Sequence, residues 1–342
     1  MRFIPISKLQ PSMLVAKAIY DAGDKILINH GVRLTEDFIK SLEARGVIGA
    51  YIEDDISNKI VVQEAITAEL RAHAVKCIKD FDLETTINIS KSIVDQLMNS
   101  DSIMLDLIDL RTFDDYTYKH SVNVAVLSTM VAMGMNFKYD ELTDLCLSAL
   151  LHDIGKLQIS DEILNKPGRL TEEEYALVKT HPTIAYNIVK DRWDIAATTK
   201  IGILCHHENV DGSGYPFGLK DSKIHRFARI IHVADVYDAL TSKRPYKEAY
   251  TPADATELLM ASCGTLFDRD VVEVFLGYVP IYPKGSTVIL SDGKRAIVAN
   301  NYKYNTLRPR VIIEETGVEI DLTHDSSCRN ITIIGIEDFS EK

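Results

Sequence analysis

No run of residues in this chain is apolar for long enough to suggest a membrane crossing. The most apolar long stretch, Val122 to Met135, is broken by Asn123, Ser128 and Thr129. It falls short of the ~18 residues that a spanning helix needs. The first residues, MRFIPISKLQPSM, lack the uninterrupted apolar centre of a secretory signal. Cysteine is sparse as well. Cys77, Cys146, Cys205, Cys263 and Cys328 are odd in number and form no CxxC pair, which fits thiols in a reducing cytoplasm rather than a disulfide framework. Positive charge is in deficit, the formal net charge being −12. That balance opposes binding to long nucleic acids, whose affinity rests on Lys and Arg neutralising phosphates. It leaves room for a small anion in a locally positive or metal-bearing pocket. The expectation is a cytoplasmic protein with no membrane insertion and no polymeric nucleic acid as partner.

What is present is an ordinary globular composition, 46% hydrophobic and 26% charged over 342 residues, enough for about two or three domains. Residues 1–57 read as a small α+β unit. Lys25 to Ile28 has a strand pattern, Asn29-His30-Gly31 a turn, Thr35 caps a helix from Glu36 to Arg45, and Val47 to Glu53 is a second strand. Residues 58–99 form a helical connector. Residues 100–279 are strongly helical, with apolar positions at a spacing near 3.6 and loops marked by Gly and Pro. Residues 280–342 turn to strands: Ser286 to Leu290, then Asp292-Gly293 and Arg295 to Ala299 as a hairpin, with further strands at Val311, Val318 and Ile331. The fold class expected is mainly α, with a small β unit at the C-terminal end and no internal repeat.

The helical region holds most of the ten histidines. His152-Asp153 follows an apolar run, Leu142 to Leu151, that reads as a buried helix ending near Gly155. Neighbouring helical residues diverge by about 100°, so two adjacent side chains can address one ion from different sides. His206-His207-Glu208 follows a second apolar stretch, and neutral imidazole is a common metal ligand. His120 and His181-Pro182 add further imidazoles. Asp235 lies within an apolar helix, Ile230 to Leu240, where a carboxylate must be paired or bind a cation to offset its desolvation. Each of these taken singly also reads as a structural residue. Together, five histidines and two aspartates in one helical region are what a two-metal hydrolytic site requires.

These residues resemble the HD-GYP phosphodiesterases of the HD metal-dependent phosphohydrolase superfamily. The likeness runs through His120-Ser-Val-Asn-Val-Ala, His152-Asp153-Ile-Gly155-Lys156 and Lys166-Pro-Gly168-Arg-Leu170. It continues in His181-Pro182, His206-His207-Glu208-Asn-Val-Asp211-Gly212-Ser-Gly214-Tyr215-Pro216, Ala234-Asp235-Val-Tyr-Asp238 and Arg244-Pro245-Tyr246. The resemblance implies an all-helical HD-type bundle that hydrolyses cyclic di-GMP to pGpG, GMP or both through a metal-bridged hydroxide. Carried over residue by residue, it puts His120, His152, Asp153 and Asp235 on one metal. His181, His206 and His207 take the second, with Asp153 as the bridge. Asp153 and Lys156 would be the catalytic pair, Lys156 meeting the scissile phosphate or the bridging water. Arg244 and Lys247 would clamp phosphate, and Tyr215 would stack on or hydrogen-bond to guanine.

Mixed histidine and carboxylate ligation suits Fe, Mn, Ni, Co or Zn, and the resemblance favours two ions of non-haem iron or manganese. Some family members carry a glutamate four residues before the first metal histidine as a ligand to a third metal. Here that position is Tyr116, so two metals are expected. Phe267-Asp268-Arg269 has Arg where Pro is common, a loop variation outside the chemistry. His30, His73, His225, His232 and His324 fall outside the ligand pattern. The HD signature alone also admits a phosphohydrolase of another nucleotide, and a sensor without turnover is the alternative of a different class. A homodimer and unidentified signalling partners are compatible with the sequence.

Overall fold

The computed structural model describes residues 1–20, 26–47, 49–62, 64–99, 116–166, 168–242 and 250–337. Their contacts divide the chain into two units. One combines residues up to 64 with those from 280 onward, and the other holds residues 65–99 and 116–279.

In the first unit, strands β1 (Arg2–Pro5), β2 (Leu14–Val15), β3 (Ile19–Tyr20) and β4 (Ile26–Ile28) precede helix α1 (Glu36–Ala44) and strand β5 (Gly49–Glu53). β5 lies between β1 and β2 in an antiparallel sheet. Thr35 caps α1 as its sequence position suggests, its hydroxyl accepting from Phe38 N at 3.2 Å. The later strands β6 (Thr287–Leu290), β7 (Arg295–Asn300), β8 (Arg310–Ile313), β9 (Glu319–Asp321) and β10 (Ile333–Ile336) form an antiparallel sheet in the order β10-β6-β7-β8-β9.

The sequence reading separates residues 1–57 from 280–342, whereas here the two segments share one core. Phe3, Tyr51, Ile60 and Val62 pack with Ile297 and Ile312. Phe3 N donates to Gly285 O at 2.9 Å, and Arg2 pairs with Asp54 at 2.7 Å and with Glu314. Alternating apolar residues reveal that a small sheet has a face to bury, but not which partner buries it.

The second unit is a helical bundle: α2 (Ala68–Lys79), α3 (Leu83–Met98), α4 (Tyr116–Gly134), α5 (Tyr139–Leu151), α6 (Asp161–Leu164), α7 (Glu172–Val178), α8 (His181–Val189), α9 (Ala197–Cys205), α10 (Arg226–Thr241), α11 (Pro252–Ala261) and α12 (Arg269–Tyr278). The protein is mainly α. Helix α4 is buried on every side from His120 to Ala132, as expected of a helix at the centre of a bundle. It packs against α2, α5, α10 and α12. α2 and α3, read from sequence as a connector, pack on α4 and α5 as bundle members. Polar residues within α4 are accommodated inside it, Thr129 Oγ1 donating to Ala125 O at 2.7 Å. Among the described residues no helix is long and apolar enough to cross a membrane. The five cysteines are free.

Candidate metal centre

Helix ends place the histidines. His152 follows the last residue of α5, His181 opens α8, and His206 follows the last residue of α9. Each uses Nδ1 in the same way. The His152, His181 and His206 Nδ1 atoms lie 2.7, 2.8 and 2.7 Å from the carbonyl oxygens of Ala149, Val178 and Ile203, three residues earlier. A carbonyl only accepts, so Nδ1 carries the proton and Nε2 keeps its lone pair for the interior. The Nε2 atoms of His181 and His206 are 3.3 Å apart. His152 Nε2 is buried and, among the described residues, has no hydrogen-bond partner.

His120 comes from the middle of α4. Its Nδ1 lies 2.7 Å from Asp238 Oδ2 on α10, and Asn123 Nδ2 donates to Asp238 Oδ1 at 2.9 Å. His120 Nε2 faces Asp235 Oδ1 at 3.0 Å. The His207 ring stacks on Tyr215 at 4.8 Å and 29°, with its Nδ1 3.8 Å from Asp235 Oδ2.

The Asp153 carboxylate divides its two oxygens. Oδ1 lies 3.3 Å from His181 Nε2 and has no hydrogen-bond partner among the described residues. Oδ2 is 3.5 Å from His152 Nε2, 3.8 Å from His120 Nε2 and 2.6 Å from Lys156 Nζ. Among the described residues, three groups each have their donor atoms within 4.8 Å of one another: His120, His152 and Asp153; His181, His206 and His207; and His152, His206 and Asp235.

Electrostatics prepare these groups to bind a cation. Burial holds His152, His206 and His207 below the ordinary histidine value and lowers His181 to about 4, so these rings are neutral donors. Burial also works against the charge on Asp153, but the Lys156 cation, with protonated His120 adding to it, holds the carboxyl well below its usual range. Asp235 is held low in the same way, against its burial, by the hydrogen bond and charge of His120. For His120 burial opposes the proton, yet bonding to Asp235 and Asp238 raises it to about 9. A metal must displace that proton to use Nε2. Buried imidazole lone pairs, an unpartnered carboxylate oxygen and ionised carboxylates are a donor set that fits divalent metal ions.

The structure thus brings together His120, His152, Asp153, His181, His206, His207 and Asp235. Lys156, one-quarter exposed, is engaged with Asp153, and Tyr215 lies against His207. Arg244 and Lys247 lie outside the described residues. So does the side chain of Tyr116, which opens α4. The sequence reading assigned no role to Asp238 or Asn123. Asp238 stands three residues after Asp235 on α10, so the two are neighbours on one helix face, and that spacing was the available signal. Of the histidines set aside, His225 caps α10, its Nδ1 accepting from Phe227 N at 3.2 Å. His232 Nε2 lies 3.0 Å from Asn209 Oδ1. Asp268 caps α12 and pairs with Arg229, which accounts for that motif without chemistry.

Gly155 ends no helix of its own making; it admits a neighbour. A Cβ there would lie 2.1 Å from His181 O and 2.8 Å from Ala185 N. Only glycine lets α8, which carries His181, approach the His152-Asp153 turn this closely.

Residues 103–271 match the family model described as the HD domain. The chain is also similar to curated proteins. A cyclic di-GMP phosphodiesterase of Pseudomonas aeruginosa is 37% identical over 252 residues, covering 72% of this chain and 61% of that protein. A cyclic di-GMP phosphodiesterase of Thermotoga maritima is 40% identical over 164 residues, 48% of this chain and 45% of that protein. A 3'3'-cGAMP-specific phosphodiesterase of Vibrio cholerae is 31% identical over 245 residues, 69% of this chain and 55% of that protein. The chain therefore spans 45% to 61% of the length of these relatives. Among solved structures, an HDG"Y"P protein from Bdellovibrio bacteriovorus has a TM-score of 0.53 at 19% identity, covering 80% of this chain and 97% of that one. It supports the HD fold.

Proposed function

We propose that this chain is a phosphodiesterase that hydrolyses cyclic di-GMP to pGpG, GMP or both with the help of two divalent ions, iron or manganese. One observation carries this reading: the two oxygens of Asp153 face separate sets of histidine nitrogens, His120 and His152 on one side and His181 on the other. His120, His152, Asp153 and Asp235 would hold one ion, and His181, His206 and His207 the second, with Asp153 spanning both. Tyr116 stands where a third-metal carboxylate would be needed, so the complement is two. Bound metals supply Lewis acidity toward a phosphoryl oxygen and lower the pKa of water near neutrality.

The remaining chemistry belongs to the chain. Most of the ligands are buried away from solvent, and Nδ1 bonding holds the His120, His152, His181 and His206 rings each in one tautomer. Lys156 presents a partly exposed cation beside Asp153, suited to a phosphate oxygen. Burial raises the Tyr215 phenol well above its ordinary value, so Tyr215 remains a neutral hydrogen-bond donor and stacking surface rather than a base. Arg244 and Lys247 take the role of phosphate clamps by family resemblance. The similarity to a 3'3'-cGAMP-specific enzyme favours one second reading, the mixed cyclic dinucleotide as substrate.

The test is metal analysis of anaerobically prepared protein coupled to product analysis with cyclic di-GMP, 3'3'-cGAMP and mononucleotides. Two ions per chain and conversion of cyclic di-GMP, abolished in His152→Ala, are expected. Three tightly held ions would refute the two-metal count, and metal-loaded protein inert toward cyclic di-GMP would refute the substrate.

A further inference from the structure

Immediately after the paired histidines stands an acid that the metal chemistry does not use. Glu208 is 1% exposed and, among the described residues, belongs to none of the metal-competent groups. Both its oxygens are committed elsewhere. Oε1 accepts from Phe217 N at 2.7 Å and Oε2 from Leu219 N at 2.8 Å, charge-assisted bonds of the stronger kind. They draw residues 209–219 back over the chain they have just left. Tyr215 N donates to His207 O at 3.1 Å. The approach is close enough that a Cβ on Gly214 would lie 2.3 Å from Asn209 N, 2.4 Å from His207 O and 2.5 Å from Glu208 Cα. A second tie runs from His232 Nε2 to Asn209 Oδ1 at 3.0 Å, and from Asn209 Nδ2 to Ser213 Oγ at 2.9 Å. The loop so held carries Tyr215, stacked on His207, and Phe217, 62% exposed.

We infer that Glu208 is a positioning residue whose carboxylate locks the 209–219 loop over the histidine cluster and sets Tyr215 at its mouth to receive a nucleotide base. The loop lock rests on geometry alone; the part concerning the base rests on the function proposed above. The closest-shaped replacement, Glu208→Gln, turns an amide N–H toward one of the two loop N–H groups and so opposes the bond it replaces.

Hydrogen exchange read by mass spectrometry on the metal-loaded full chain provides the test. In E208Q the 209–219 amides should exchange at least about tenfold faster, with α4, α10 and the metal content unchanged. KM for cyclic di-GMP should rise about tenfold with a smaller change in kcat, and adding Tyr215→Ala should have little further effect. Gly214→Ala, which leaves the carboxylate in place but drives the backbone apart, should reproduce the faster loop exchange. Unchanged loop exchange in E208Q, or metal loss without a change in KM, overturns the assignment. If E208Q instead loosens the whole bundle, G214A decides: loop-confined acceleration supports the lock and wild-type exchange overturns it. Wild type inert toward cyclic di-GMP would sink the proposed function, while the exchange measurement would still decide the role of Glu208.

Discussion

The Nδ1 atom of His120 lies 2.7 Å from Asp238 Oδ2, across 118 residues of sequence. That contact commits Nδ1 to a proton and turns Nε2 toward Asp235 and Asp153. Asn123, one turn along α4 from His120, completes the arrangement by donating to the other oxygen of Asp238. Carboxylate, imidazole and metal in series is the arrangement by which proteins orient histidine ligands and raise their basicity.

Asp238→Asn should therefore lower metal affinity by about 10–100-fold while the helices remain folded. Metal content after dialysis against graded chelator, read beside far-ultraviolet circular dichroism, is the check. Full metal retention at chelator levels that leave the wild type loaded would contradict it.

Gly155→Ala tests the close approach of α8. The three atoms nearest the added methyl all belong to the backbone, which cannot rotate away, so α8 must shift. A destabilisation of about 1–3 kcal/mol is expected. The half of the centre that depends on His181 should weaken more than the half built on His120. Urea unfolding and metal titration of the same sample measure the two effects.

Metal removal should loosen the bundle. With metal at a hundredfold excess over its Kd, binding contributes about 2.7 kcal/mol, equivalent to roughly 5–10 °C in Tm for a domain of this size. Thermal scans with and without chelator should show that gap in wild type and its absence in a His152→Ala/Asp153→Ala double variant. An equal gap in that variant would place the metal elsewhere.

The five-stranded sheet, in the other unit of the chain, offers a pH test of its own. Burial opposes the charge on Asp321, but Tyr302 Oη at 2.5 Å, the Thr323 and His324 amides at 3.0 Å each and Arg310 at 3.2 Å outweigh it. They hold its carboxyl well below the usual range. A carboxyl lowered in the folded state contributes stability that is complete above its unfolded pKa of about 4 and is lost as pH falls. Asp321→Asn should thus destabilise this unit at pH 7, and its deficit against wild type should shrink steadily below about pH 4. A deficit independent of pH would show that the carboxylate charge is not what matters.

Legibility from sequence followed the range of the interactions. Thr35, the buried run Leu142 to Leu151 and the Asp292-Gly293 turn rest on contacts within a few residues, and all three stand in the structure as read. The last strand was read two residues early, at Ile331. It begins at Ile333 because Thr332 O first accepts from Ser291 N, and the pairing with β6 then shifts register at Ile333 and Gly335. The helix read as ending near Gly155 ends at Leu151, and the close approach of Gly155 to His181 depends on a helix that begins 26 positions later. His232 falls outside the ligand pattern, and its partner, Asn209, lies on a loop whose path no local pattern reveals.

By itself the sequence determined the kinds of donor present, their order, and the helix ends on which they sit. Even the inward aim of His152, His181 and His206 is local, because each Nδ1 is held by a carbonyl three residues earlier. Tertiary structure alone decided that the Nε2 atoms of His181 and His206 meet, that Asp153 turns one oxygen to each side, and that Asp238 holds His120. It also decided that the two ends of the chain share a core. The physical reason is the same in each case. Periodicity and capping report which face of an element must be buried, while the identity of the facing group is set only when packing brings distant segments within a few ångströms.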